Sequence, residues 1–223
     1  MNVKDMIRST QQDAAQARLR ATTEPSIREC SETPQARTQA PIGEDTVPFE
    51  SLLNHRHSVR AFSHRPIDDG VVGQVAPAIH DNHAEIFSTP SLLSIRFASR
   101  SWRNGPAVYD ATDGGPRLVP TSNLTDTGSH SAWDENSGLS GAMGWMFVYG
   151  DLASATQRYG DMGLTESLVQ AGAAVEVSWL SFLSLGLVCR PMVGLDSHFV
   201  RQFAPTKGPK ARFLIALGFG HEA

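Results

Sequence analysis

Cysteine is nearly absent from this chain, with two residues, Cys30 and Cys189, among 223. They lie far apart and form no disulfide framework, so a reduced, cytoplasmic setting is expected. Cys189 stands in an apolar stretch and is expected to act as a small buried hydrophobe, not a nucleophile. Positive charge is not in excess either. A formal net charge of −4 and a pI near 6.0 exclude the basic footprint of a protein that binds nucleic acid or an anionic membrane. Residues 168–187 come nearest to a membrane-length apolar run, but Gln170, Glu176, Ser178, Ser181 and Ser184 interrupt it, the load of a helix buried in protein. The first residues carry Lys4, Asp5 and Arg8 in place of the apolar run of a secretory signal. The histidines do not supply a metal site: His55-x-His57 and His80-x-x-His83 lack a second ligand cluster. A phosphate-cradling glycine loop and a nucleophile elbow are missing too.

What is there divides in two. Residues 1–45 are rich in Gln, Thr, Ala, Arg, Glu and Pro and hold few large apolar side chains, the composition of a disordered tail. Residues 46–223 hold the material of one core. Pro48 opens a helix that runs to His55. A second helix starts near Pro66 and runs toward Ile79; Gly70, Gly73 and Pro77 should leave it short or irregular. Residues 92–98 read as a strand, residues 107–119 as a hairpin about Asp113-Gly114-Gly115-Pro116, and residues 121–140 as a polar loop. Residues 144–149 form an apolar strand, Asp151 caps a helix to Tyr159, and a long core helix starts near Leu164. A strand over 188–193, a helix over 196–203 and a last strand over 212–219 complete an α+β chain.

The densest chemistry is Arg56-His57-Ser58-Val59-Arg60-Ala61-Phe62. Two permanent guanidinium forks and a hydroxyl between them suit one phosphate. Two arginines at a helix end also satisfy its dipole and last carbonyls, so local chemistry leaves both accounts open. Three further blocks follow in order: Gln157-Arg158-Tyr159-Gly160, then Gln170-Ala171-Gly172 with Leu185-Gly186-Leu187, then Pro191-Met192-Val193-Gly194-Leu195-Asp196. Together they resemble the nitroreductase-like flavoproteins, and within them the SagB-type azoline dehydrogenases. That branch reads Lys-Tyr-Gly, Glu-Ala-Gly-His, Leu-Gly-Leu and Pro-x-x-Gly-Phe-Asp. The resemblance spans roughly residues 47–220.

It implies a nitroreductase-like fold: a mostly antiparallel sheet flanked by helices, with a long buried core helix. It implies FMN, with Arg56, His57, Ser58 and Arg60 at the phosphate and the backbone of Val193 and Gly194 beside the ring. It places Tyr159 and Arg158 at the chemistry, Tyr159 as base and Arg158 as its electrostatic support, because a guanidinium stays charged. The activity implied is oxidation of thiazoline or oxazoline rings on a peptide, with oxygen as the acceptor. The partners implied are a second copy of the chain and a cyclodehydratase or other biosynthetic protein.

The chain departs from the pattern in three places. Thr89-Pro90-Ser91 stands where the branch has Ser-Gly-Gly. Gln170-Ala171-Gly172-Ala173 replaces Glu-Ala-Gly-His. No basic residue follows the last strand, so Lys207, Lys210 or Arg212 would have to substitute. Two other readings therefore stand beside the first: a flavin-free scaffold or partner subunit of a peptide-modifying complex, and a nicotinamide-dependent nitro or quinone reductase.

Overall fold

The computed structural model describes residues 48–87, 91–99, 102, 107–119, 142–205 and 211–223. The expected tail with Cys30, the expected polar loop, Thr89, Pro90, Lys207 and Lys210 lie outside them. Residues from Asp45 onward form one compact unit. Its elements run α1 (Phe49–His55), α2 (Gly70–Ile86), β1 (Leu93–Ser99), β2 (Ala107–Asp110), β3 (Arg117–Val119), β4 (Gly144–Asp151), α3 (Leu152–Tyr159), α4 (Gly163–Ser184), β5 (Val188–Met192), α5 (Ser197–Arg201) and β6 (Ala211–Gly220), with a 3-10 turn over Gly160–Met162 between α3 and α4.

The six strands make one sheet in the order β3-β2-β1-β4-β6-β5, antiparallel throughout. β4 is buried on both faces, and its alternation sorts two cores. Met146 and Val148 point with Leu93, Ile95 and Phe97 of β1, and Leu217 and Phe219 of β6, toward α2 and α4. Trp145, Phe147 and Tyr149 point the other way, to Phe199, Val200 and Phe203, where Phe147 stacks on Phe203 at 4.6 Å. Helices thus cover both faces of an antiparallel sheet, as the resemblance implied.

α2 corrects the sequence reading. It starts at Gly70, not Pro66, and runs 17 residues with Pro77 inside it. Pro77 removes one backbone donor, but Val72, Val75, Ala76 and Ile79 bury one face against α4, and that burial outweighs the local cost. At the opposite end, Tyr109 donates a 2.8 Å hydrogen bond to Asp69, which ties β2 to the start of α2. Burial, and then Asp69 itself, push the Tyr109 phenol up to about 12. α4 begins one residue before the expected Leu164, and α5 is shorter than expected, ending at Arg201.

Candidate functional site

The arginine cluster is an edge feature of the sheet. Ser58 forms a bridge to Cys189 of β5, and the Val59 amide donates to the Cys189 carbonyl at 3.3 Å. Val59 and Phe62 anchor the segment in the second core, so that Ser58 and Arg60, on either side of Val59, remain exposed. Farther on, the Ser63 amide donates to the His221 carbonyl at 3.0 Å. Arg56 is exposed but engaged: one guanidinium nitrogen lies 3.3 Å from Glu176 of α4, with the group 5.2 Å from the Trp179 ring centroid. His57 lies 3.7 Å from Glu222. Among the described residues no carboxylate pairs with Arg60.

Val193 and Gly194 lie on the same edge. From Cys189, where Ser58 is attached, β5 leads to Val193 over four residues, about 13 Å at the rise of a strand. Both residues are exposed, and a Cβ placed on Gly194 would meet nothing within 4 Å, so main chain is open to a flat ring there. The donor set and this open turn fit FMN: two forks and a hydroxyl for a phosphate, then uncovered backbone for the ring. Cys189 beneath them is fully buried, and burial holds its thiol well above the ordinary range, as expected of a structural cysteine. Arg212 is poorly placed to join the Arg56–Ser58–Arg60 cluster within one chain. It opposes Gly150, and the seven residues of β6 from there to Phe219, beside Cys189, span about 23 Å.

Tyr159 and Arg158 stand elsewhere. Asp151 caps α3 as expected, its carboxylate accepting from the Ala153 and Ser154 amides. Gly160, with a φ of 58°, closes the helix in a conformation that favours glycine. The Arg158 guanidinium lies 5.9 Å from the Tyr159 ring centroid, so cation and phenol are neighbours. The pair sits by the N-terminal end of α4, whereas Arg56 meets that helix at Glu176. The intervening 13 residues from Gly163 span about 20 Å. A single chain therefore does not bring the Arg56–Ser58–Arg60 cluster and the Tyr159 pair together. Between them, Leu164, Leu168 and Val169 of α4 are 51%, 50% and 53% exposed, and Met162 just before them 60%.

Sequence reasoning missed two features. Arg96, 5% exposed, holds Asp110 at 3.1 Å across the β1–β2 pair. Burial works against the Asp110 carboxylate, but hydrogen bonds from Thr112 and the charges of Arg96 and Arg117 outweigh it and hold the group below the ordinary range. The second is a cavity of about 520 Å³ between α2, α4, the start of β1 and the β2–β3 turn. His80, which stays exposed, and His83, whose Nε2 is buried, both line it. Among the described residues no group of His, Cys, Asp and Glu is arranged to hold a metal. No described helix is long and apolar enough to cross a membrane.

No protein-family model matches the sequence, and no match is found among curated proteins. Solved structures do match. A candidate nitroreductase from Ralstonia eutropha superposes with a TM-score of 0.60 at 16% identity, over 82% of this chain and 87% of that one. A candidate nitroreductase from Anabaena variabilis gives 0.60 at 15% identity over 78% of this chain, which spans only 38% of the Anabaena protein's length. A chain of the Escherichia coli microcin synthetase McbBCD complex, with truncated pro-MccB17 bound, gives 0.54 at 14% identity over 100% of this chain and 95% of that one. The fold is therefore nitroreductase-like.

Proposed function

We propose that this chain is an FMN-dependent oxidoreductase that dehydrogenates thiazoline or oxazoline rings to thiazole or oxazole on a modified peptide, acting as a homodimer. The observation that carries the reading is the attachment of the Arg56–Ser58–Arg60 cluster to β5, the strand that runs on to the open backbone of Val193 and Gly194. Arg56, Ser58 and Arg60 hold the phosphate, with His57 beside them, and the Val193–Gly194 main chain meets the ring. Bound at that edge, FMN would supply the two-electron acceptor for the hydride that leaves the azoline. The proton that leaves with it falls to Tyr159, with the Arg158 guanidinium 5.9 Å from its ring centroid as electrostatic support. With Tyr159 by the start of α4 and Arg56 against Glu176, about 20 Å farther along that helix, a complete site takes residues from two copies. The exposed Leu164, Leu168, Val169 and Met162 supply an apolar face for that association. The likeness to a chain of the microcin synthetase complex supports a peptide substrate and a biosynthetic partner such as a cyclodehydratase.

The test starts with the purified chain: flavin absorbance, and release of FMN on denaturation. Replacing Arg56 and Arg60 together by Ala is expected to abolish flavin retention with the fold intact. Tyr159→Phe is expected to keep FMN and lose most oxidation of a thiazoline-bearing peptide. Turnover unchanged in that variant removes Tyr159 from the chemistry, and turnover of nitro or quinone substrates with reduced nicotinamide alone favours the reductase reading.

A second reading has its own observation. Glu176 lies against Arg56 and Glu222 against His57, so the chain's own carboxylates already engage part of the cluster. That arrangement favours a flavin-free scaffold or partner subunit. Colourless protein that takes up no added FMN decides for it.

A further inference from the structure

Arg56 and Arg60 are held very differently. The Arg56 backbone closes α1, where its amide donates to the Leu53 carbonyl at 3.2 Å. Two residues on, Ser58 is bridged to Cys189 of β5, so the main chain is pinned on either side of Arg56. The far end of its side chain is pinned too: the guanidinium carbon lies 5.2 Å from the Trp179 ring centroid, and one nitrogen lies 3.3 Å from Glu176. Glu176 and Trp179 are three residues apart on α4, which turns both toward one side of the helix. Among the described residues Arg60 pairs with no carboxylate and rests on no ring.

The two partners of Arg56 act differently toward an anion. The Glu176 carboxylate takes an N–H that a phosphate oxygen would otherwise accept. Trp179 attracts the guanidinium through the face of its ring and takes no N–H, so the rest of the fork stays available, on a side chain 40% exposed. Trp179 itself is 7% exposed and packed in the first core, so its ring is a fixed platform. A fork already ordered on such a platform loses less rotamer freedom when a ligand arrives.

We infer that Trp179 is a positioning residue for the anion site: its ring holds the Arg56 fork in place for the phosphate of FMN, while Arg60 becomes ordered only when the ligand binds. This rests on the reading that the cluster holds that phosphate. It makes the two arms unequal, because loss of the ring is felt through Arg56 and not through Arg60.

The test begins with NMR of the unliganded full chain, the Arg56 and Arg60 Nε–H signals being assigned by substitution. The Arg56 signal is expected to be shifted upfield by the ring current of Trp179 and to be more ordered than that of Arg60. Two signals alike in shift and order overturn the proposal, with no variant that could disturb the core. FMN affinity is then followed by flavin fluorescence. Trp179→Phe, which keeps a ring, is expected to retain most of the affinity. Trp179→Leu, which removes it, is expected to weaken binding about fivefold, with circular dichroism reporting the fold. That loss should vanish in an Arg56→Ala background and persist in an Arg60→Ala background, since residues in contact couple and separate ones add. Equal affinity in the wild type and Trp179→Leu, or equal losses in the two backgrounds, overturns the proposal. FMN binding to no form, with the shifted Arg56 signal in place, fails the cluster as a phosphate site and takes the proposal with it. The intact signal distinguishes that failure from absence of the Trp179–Arg56 contact.

Discussion

Gly163 opens α4 where α3 packs across it, and the same substitution there and in α2 should have opposite signs. With φ −57° and ψ −40°, Gly163 has ordinary helical backbone that alanine adopts without strain. A Cβ at Gly163, however, would lie 2.6 Å from the Ala155 carbonyl carbon and 2.6 Å from the Thr156 nitrogen, against 3.4–4 Å for ordinary contact. These are backbone atoms, so no side-chain rotation relieves the clash, and α3 must move off α4 by roughly 1 Å. Overpacking of that kind costs about 1–3 kcal/mol, and the gain in helix propensity from Ala over Gly returns at most about 1 kcal/mol. Gly163→Ala should therefore destabilise the chain by about 1–2 kcal/mol net, lowering the urea midpoint at unchanged slope. Gly73→Ala in α2 is the control. A Cβ there meets nothing within 4 Å, and it should raise stability by about 0.5–1 kcal/mol. A Gly163→Ala chain as stable as the Gly73→Ala chain would show that α3 and α4 do not meet as described. The position of Tyr159 would then be wrong as well.

Three further outcomes are expected. Arg96→Met leaves Asp110 without its buried partner and should cost about 3 kcal/mol, the low end for buried pairs because Asp110 keeps some solvent. Since the folded-state value of Asp110 is lowered, its contribution is complete above the ordinary carboxylate value near 3.9 and is lost as pH falls through the folded value. Asp110→Asn should therefore flatten the acid limb of stability measured by urea titration between about pH 2 and 5; an unchanged limb refutes the pairing. Glu176→Gln frees Arg56 from a half-exposed ion pair worth at most about 1 kcal/mol, so FMN affinity followed by flavin fluorescence should tighten no more than about fivefold. Weaker binding would mean that Glu176 positions Arg56 instead of competing for it.

Much of the architecture was legible along the chain because its signals are local. β4 reads as an apolar run, Asp151 as a cap, and the serine-interrupted segment after Gly163 as a buried helix, since alternation, capping and polar load act within a few residues. The candidate phosphate residues were readable for the same reason, being packed into five positions. Local rules failed at α2, where Pro77 and two glycines argued for a short or irregular helix and burial of Val72, Val75, Ala76 and Ile79 against α4 carried it through 17 residues. Only tertiary structure decided that Ser58 rests on β5, that Glu176 reaches Arg56 from 120 residues away, that about 20 Å of helix separates Tyr159 from that pair, and that His83 faces a cavity. Those relations depend on which surfaces meet, and no spacing along the sequence encodes them.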